Sequence, residues 1–171
     1  VYKRQQLIYL VGGEQEAVDR VRDVLEVMGQ AIHHCGQVGS GTVMKLVVNA
    51  LFGVQIAALS ELLGMAQGSG IQPAKAMDIL SQMPVTSPAA KGIGGLIAAG
   101  KFAPMFPIDL VEKDFRYINH TAASGGGRSP VCEATMEVYR AAQEAGFGGD
   151  NINGVAKLYL DPKDQPTATP E

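Results

Sequence analysis

The sequence has 171 residues, a formal net charge of −3, 46% hydrophobic residues and 18% charged residues. That length suits a compact domain with a real core, and the balance excludes a disordered acidic or basic tail. No Lys/Arg cluster supplies a phosphate-binding face, so no nucleic-acid partner is expected; the two cysteines, Cys35 and Cys132, cannot build a disulfide scaffold or a zinc site by themselves and fit a reduced, cytoplasmic setting.

Leu7 to Val11 is a short apolar run closed by Gly12-Gly13 and reads as a buried strand. Glu14 to Met28 places Ala17, Val18, Val21, Val24, Leu25 and Met28 at helical spacing, with acids at the start and Gly29 at the C′ position. Ala31 to Cys35 reads as a second strand, giving a βαβ unit if the strands pair in parallel. Two strands alone are marginal. Val1 to Gln6 carries no initiator Met and no long apolar run. Residues 1–37 are therefore expected to be the end of a larger α/β domain whose earlier strands lie outside this sequence.

From Gly39 the character changes. No breaker interrupts the chain from Gly39-Ser40-Gly41 to Gly68-Ser69-Gly70, which predicts a helix of roughly 40–45 Å. Being apolar on most sides, it reads as a buried central helix. Its longest charge-free run, Leu46 to Ser60, is too short to span a bilayer, and no membrane partner is expected. Pro73 opens a helix to Met83, ended by Pro84; Ser87-Pro88 starts another to about Gly100. Asp109 to Ala123 is a helix with Leu110, Val111, Phe115, Ile118 and Ala122 as its inner face. Ser129-Pro130 caps and opens a helix to about Ala145, and Gly154 to Leu160 forms a last short one. Residues 38–160 thus read as one all-helical domain, and residues 161–171, with three prolines, as a loose tail. The 21 glycines fit close approach between helices.

The strongest chemical signal lies at the start of the long helix. Lys45 and Asn49 are four residues apart and share one face of an apolar helix; buried there, each needs a partner. Burial and the positive helix end both disfavour the ammonium form of Lys45, the condition under which a lysine gives and takes a proton. The opposing reading is a lysine that reaches past the first turn to water. No nucleotide cradle is present. Gly39-x-Gly41 fails the dinucleotide fingerprint because its third position is Met44, and Glu14 and Glu16 after Gly12-Gly13 would repel a phosphate. Gly36, Gly39 and Gly41 permit either a tight strand-to-helix turn or a ligand close to the backbone. Lys113-Asp114, without other information, reads as an exposed ion pair. His33 and His34 alternate faces of a strand and cannot grip one metal together.

Together these residues resemble a known family. Gly39-x-Gly41-x-x-x-Lys45-x-x-x-Asn49 is similar to the catalytic signature of the β-hydroxyacid dehydrogenases, which include 3-hydroxyisobutyrate dehydrogenase, tartronate semialdehyde reductase and the glyoxylate/succinic semialdehyde reductases. Phe106-Pro107 followed by Lys113-Asp114 is similar to a second motif of that family. The resemblance runs from about Leu7 to Leu158. It implies a Rossmann domain for NAD or NADP, of which this sequence holds only the end. It also implies a long interdomain helix and a mainly α, 6-phosphogluconate-dehydrogenase-like C-terminal domain that forms a homodimer or homotetramer. It implies that Lys45 manages the proton on the substrate oxygen, that Asn49 binds the substrate, that Phe106 and Asp114 line or support the closed substrate site, and that Lys113 lies near the nicotinamide-ribose side of the cofactor. The substrate would be a small hydroxy acid or its aldehyde or keto acid. Val48 stands where many 3-hydroxyisobutyrate dehydrogenases have Asn and 6-phosphogluconate dehydrogenases have His, so Met44 to Asn49 looks closer to the glyoxylate/succinic semialdehyde reductase branch. Lys45 counts against imine reductases of the same fold. The other reading is a non-catalytic dimerisation or interaction module on a dehydrogenase-like fold.

Overall fold

The first elements follow from the alternation of short apolar runs and glycine. In the computed structural model, which describes residues 7–160, strand β1 (Ile8–Gly12), helix α1 (Gln15–Met28) and strand β2 (Ala31–Gly36) form a βαβ unit. The strands pair in parallel, Ile8 against Ala31 and Val11 against His34, with an irregularity between Val11 and Gly12. Of the apolar residues on α1 only Val18 is buried, while Val21, Val24, Val27 and Met28 are exposed. Two strands present too narrow a face to cover an amphipathic helix. Gly29 does not take the left-handed C′ conformation expected of it. Its backbone is extended, and it is small because a Cβ there would strike the ring of Tyr9. The expected tail from Asp161 lies outside the described residues.

Helix α2 (Ser40–Gly68) runs unbroken for 29 residues. Contacts divide the chain into two units, one ending at Val48 and the other beginning at Asn49, so the division falls within this helix. The expectation of burial holds only for some residues of its later part, where Leu62 and Met65 are exposed. Ile56, Ala57, Leu59 and Leu63 are buried, whereas Val43, Met44, Val47, Val48 and Leu51 are exposed. By length and composition alone α2 could cross a membrane, with a third of its most apolar window buried in the folded chain.

The second unit packs helices α3 (Pro73–Leu80), α4 (Pro88–Ala98), α5 (Ile108–Ser124) and α6 (Pro130–Glu144), then a 3₁₀ helix (Ile152–Leu158), around the later part of α2. Helix α3 stops short of the expected Met83. Turn hydrogen bonds take over before Pro84, whose ring disfavours helical backbone in the residue ahead of it. The Ser87 hydroxyl accepts the Ala90 N–H at 3.1 Å and caps α4. Ser129 makes no such side-chain bond; its carbonyl accepts the Glu133 N–H instead.

The core centres on one close approach. A Cβ on Gly53 would lie 2.5 Å from Phe115 Cε2. The Phe115 ring stacks on Tyr139 with centroids 5.8 Å apart, and the Tyr139 hydroxyl donates to the Gly53 carbonyl at 2.9 Å. Helix α5 buries Ile108, Val111, Glu112, Asp114 and Phe115, and not Leu110, which is exposed. The Glu112 carboxylate accepts from Arg116 on its own helix at 2.9 Å and from Arg140 on α6 at 3.2 Å. A buried acid needs such partners, since one left alone is strongly destabilising.

Gly53→Ala should cost about 1–3 kcal/mol despite alanine's better helix propensity, because the buried Phe115 ring has no room to retreat; thermal denaturation would show it. Burial pushes the phenols of Tyr139 and Tyr159 above their ordinary value. The unfolded chain releases these protons near pH 10 while the folded chain keeps them, so stability should fall as pH rises past about 10. Tyr139→Phe should flatten that slope in urea titrations across this range.

Candidate active site

Glycines set the start of α2. Gly36 and Gly39 have φ of +119° and +95°, values that side chains resist. A Cβ on Gly41 would collide with the Leu10 carbonyl, and one on Gly12 with that of Gln37. The turn from β2 into α2 is therefore tight and glycine-dependent, which is the first of the two roles open to these residues.

Lys45 follows one turn into α2. It is exposed, not buried on the apolar face as its neighbours in sequence suggest. Asn49, a turn further on, is half-buried. Its Nδ2 donates to Asp114 Oδ2 on α5 at 2.6 Å, across 65 residues of sequence. Asp114 is only 5% exposed. Lys113 Nζ lies 3.8 Å from the other carboxylate oxygen, with 40% of the Lys113 side chain exposed. The reading of Lys113-Asp114 as an exposed pair is thus overturned for the acid. Asp114 sits on the inner face of α5 beside Phe115, and only the lysine reaches solvent. A hydrogen bond to an ionised carboxylate is short and roughly twice as strong as a neutral one, so the amide of Asn49 is held in one orientation.

Phe106 has a different setting. It precedes α5 by two residues, is partly buried and packs against the core cluster around Phe115. Its N–H donates to Asn151 Oδ1 at 2.9 Å, and its carbonyl accepts from Ile152 N at 2.8 Å. Sequence reasoning missed Asn151 and Asn153, which are 1% and 0% exposed. The signal was available in Asn151-Ile152-Asn153-Gly154-Val155-Ala156, two amides in an apolar stretch that must find partners if buried.

The remaining candidates stay apart. His33 and His34 are both exposed; the His34 ring contacts Gln15 Oε1 at 2.8 Å and the Gly13 carbonyl at 2.7 Å. Among the described residues no cluster of three His, Cys, Asp or Glu side chains could hold a metal. Both cysteines are free, and burial pushes the Cys132 thiol up, away from the reactive thiolate.

A family model described as NAD-binding of NADP-dependent 3-hydroxyisobutyrate dehydrogenase matches residues 39–159. Two glyoxylate/succinic semialdehyde reductases of Arabidopsis thaliana are similar over 150 residues. Reductase 1 is 31% identical over 88% of this chain and 52% of its own length, and the chloroplastic reductase 2 is 28% identical over 88% and 42%. The chain thus spans about half the length of these relatives. The solved 3-hydroxyisobutyrate dehydrogenase of Salmonella typhimurium superposes with a TM-score of 0.81 at 22% identity, covering 88% of this chain and 53% of that one, a likeness of fold. With the family match extending from the glycine turn at Gly39 through the 3₁₀ helix, the chain belongs to the 3-hydroxyisobutyrate dehydrogenase family, with its glyoxylate/succinic semialdehyde reductases.

Proposed function

We propose that this chain is the substrate-side part of an NAD(P)-dependent oxidoreductase that interconverts a small 3-hydroxy or 2-hydroxy acid and its aldehyde or keto acid. The observation that carries the reading is the buried Asp114 carboxylate bonded to the Asn49 amide, one helical turn from Lys45. Two polar side chains held together at the edge of an apolar core suit the recognition of a small polar substrate.

The dinucleotide would be held chiefly elsewhere. The described residues offer no phosphate cradle, since Glu14 and Glu16 follow the glycines between β1 and α1. Lys113, partly exposed beside Asp114, fits a role at the nicotinamide-ribose side. The bare apolar face of α1 supports a domain organisation in which residues 1–37 complete a Rossmann domain and residues 38–160 form the helical partner. A bound NAD(P) would supply hydride-transfer chemistry at the substrate carbon. Lys45 gives its ammonium proton to the carbonyl oxygen during reduction and takes the hydroxyl proton during oxidation. Asn49, fixed by Asp114, orients the substrate, and Phe106 walls the site.

The helical unit also suits self-association. A mainly apolar groove of about 410 Å³ between α2 and α6 is lined by Val54, Ala57, Val131 and Val138, with Glu61 and Thr135 as its polar residues. Leu62, Met65 and Val131 are 51%, 66% and 61% exposed. An apolar surface of this kind is typical of one covered in a homo-oligomer. Such an assembly would be cytoplasmic, with α2 a core helix.

In the protein carrying its dinucleotide-binding domain, Lys45→Ala should lower kcat about 10²–10⁴-fold, the usual contribution of a positioned acid/base. Unchanged turnover would refute the role, whereas absence of NAD(P)H-dependent turnover in the unaltered protein would favour the non-catalytic module. Leu62→Asp with Val131→Asp should convert an oligomer into a monomer by light scattering, because a buried unpaired carboxylate opposes association.

A further inference from the structure

The segment between α4 and α5 is held from outside itself. Asn151 Oδ1 accepts the N–H groups of Phe106 at 2.9 Å and of Met105 at 3.4 Å. The Asn151 N–H donates to the Phe102 carbonyl at 3.0 Å. Asn151 Nδ2 donates to Asn153 Oδ1 at 2.7 Å, and Asn153 Nδ2 donates to the Lys101 carbonyl at 2.8 Å. Ile152 N closes the set on the Phe106 carbonyl, and Lys157 lies 4.6 Å from the Phe102 ring centroid while pairing with Asp150 at 2.7 Å.

Two fully buried amides are a costly way to fill a core, since each polar atom loses water and must recover a partner. Apolar side chains of like volume would fill the same space but leave the Phe106 N–H and the Lys101 carbonyl without these partners. What the amides add is position. Their bonds go to the backbone at Lys101, Met105 and Phe106, so they fix the path of the loop whatever its side chains are. The loop leaves Met105 72% exposed and delivers Phe106 to the start of α5.

We propose that Asn151 and Asn153 are positioning residues that preform the 102–106 loop as a wall of the substrate site. This rests on the function proposed above, in which Phe106 lines that site. A wall ordered during folding need not be ordered by the substrate, so the clamp acts on binding rather than on the chemical step. Its loss should raise KM and leave kcat nearly unchanged, the mark of an interaction shared by ground and transition states.

The test uses the enzyme with its dinucleotide-binding domain and two variants. Asn151→Asp keeps the acceptor for Phe106 but cannot donate to Asn153; Asn153→Ala releases the Asn151 amide with less disturbance and serves if the first fails to fold. Ser87→Ala, which removes the cap of α4, is the control for a general loss of stability. The expected result is a KM raised about tenfold with kcat within about threefold, together with faster amide exchange at Met105 and Phe106. The control should lower the melting temperature without either change. A KM unchanged while those amides exchange faster would overturn the proposal, as would unaltered exchange or a fall in kcat alone. If Lys45→Ala abolishes turnover and the clamp variants leave KM alone, the proposed function stands and this inference fails. If the wild-type enzyme turns over no hydroxy acid, the proposed function fails and takes the substrate role of the clamp with it.

Discussion

The crossing of α2 and α5 is the contact on which the second unit depends. At Gly53 the missing side chain lets the Phe115 ring lie against α2. Asn49 lies one turn before Gly53 on α2, and Asp114 is the residue before Phe115 on α5. The Asn49–Asp114 hydrogen bond and the Gly53–Phe115 contact are therefore neighbouring rungs of the same crossing. Packing and polar chemistry share one geometric cause. A shift of either helix by a fraction of a turn would break both, because interiors packed to crystal density do not deform smoothly.

Around that crossing, α5 carries two buried acids with different partners. Glu112 is held by Arg116 and Arg140, two cations that tie α5 to itself and to α6. Asp114 meets an amide at one oxygen and lies near Lys113 at the other. Guanidinium pairing is planar and geometrically fixed, as befits a strut. The amide partner of Asp114 retains a carbonyl oxygen that can still accept a hydrogen bond. The two carboxylates, two residues apart, thus differ in what faces them, two guanidinium groups for Glu112 and an amide and an ammonium for Asp114.

The βαβ unit offers a different lesson. Its glycines obey strict local geometry at the turn into α2, yet much of its apolar surface is bare, from Ile8 on β1 to Val27 on α1. Local pattern specifies the elements, and neighbouring elements must supply the cover.

The sequence by itself determined the elements and their order. Periodicity placed every described helix to within a few residues, apolar runs gave the two strands, and the motifs around Lys45, Asn49, Phe106, Lys113 and Asp114 resembled those of the family. These features are local, set by 3.6-residue and two-residue repeats and by turn chemistry. Tertiary structure alone decided that Asp114 is buried while Lys113 is not, that Leu110 faces outward, that Glu112 joins two arginines, and that Asn151 and Asn153 hold the Phe106 loop. Each of these turns on a partner or a neighbouring surface that the local pattern does not identify. The bonds concerned span 28 residues for Arg140 and Glu112, 45 for Phe106 and Asn151, and 65 for Asn49 and Asp114. A charged or amide side chain looks the same in sequence whether it meets water or another side chain, and only the packed helices choose between them.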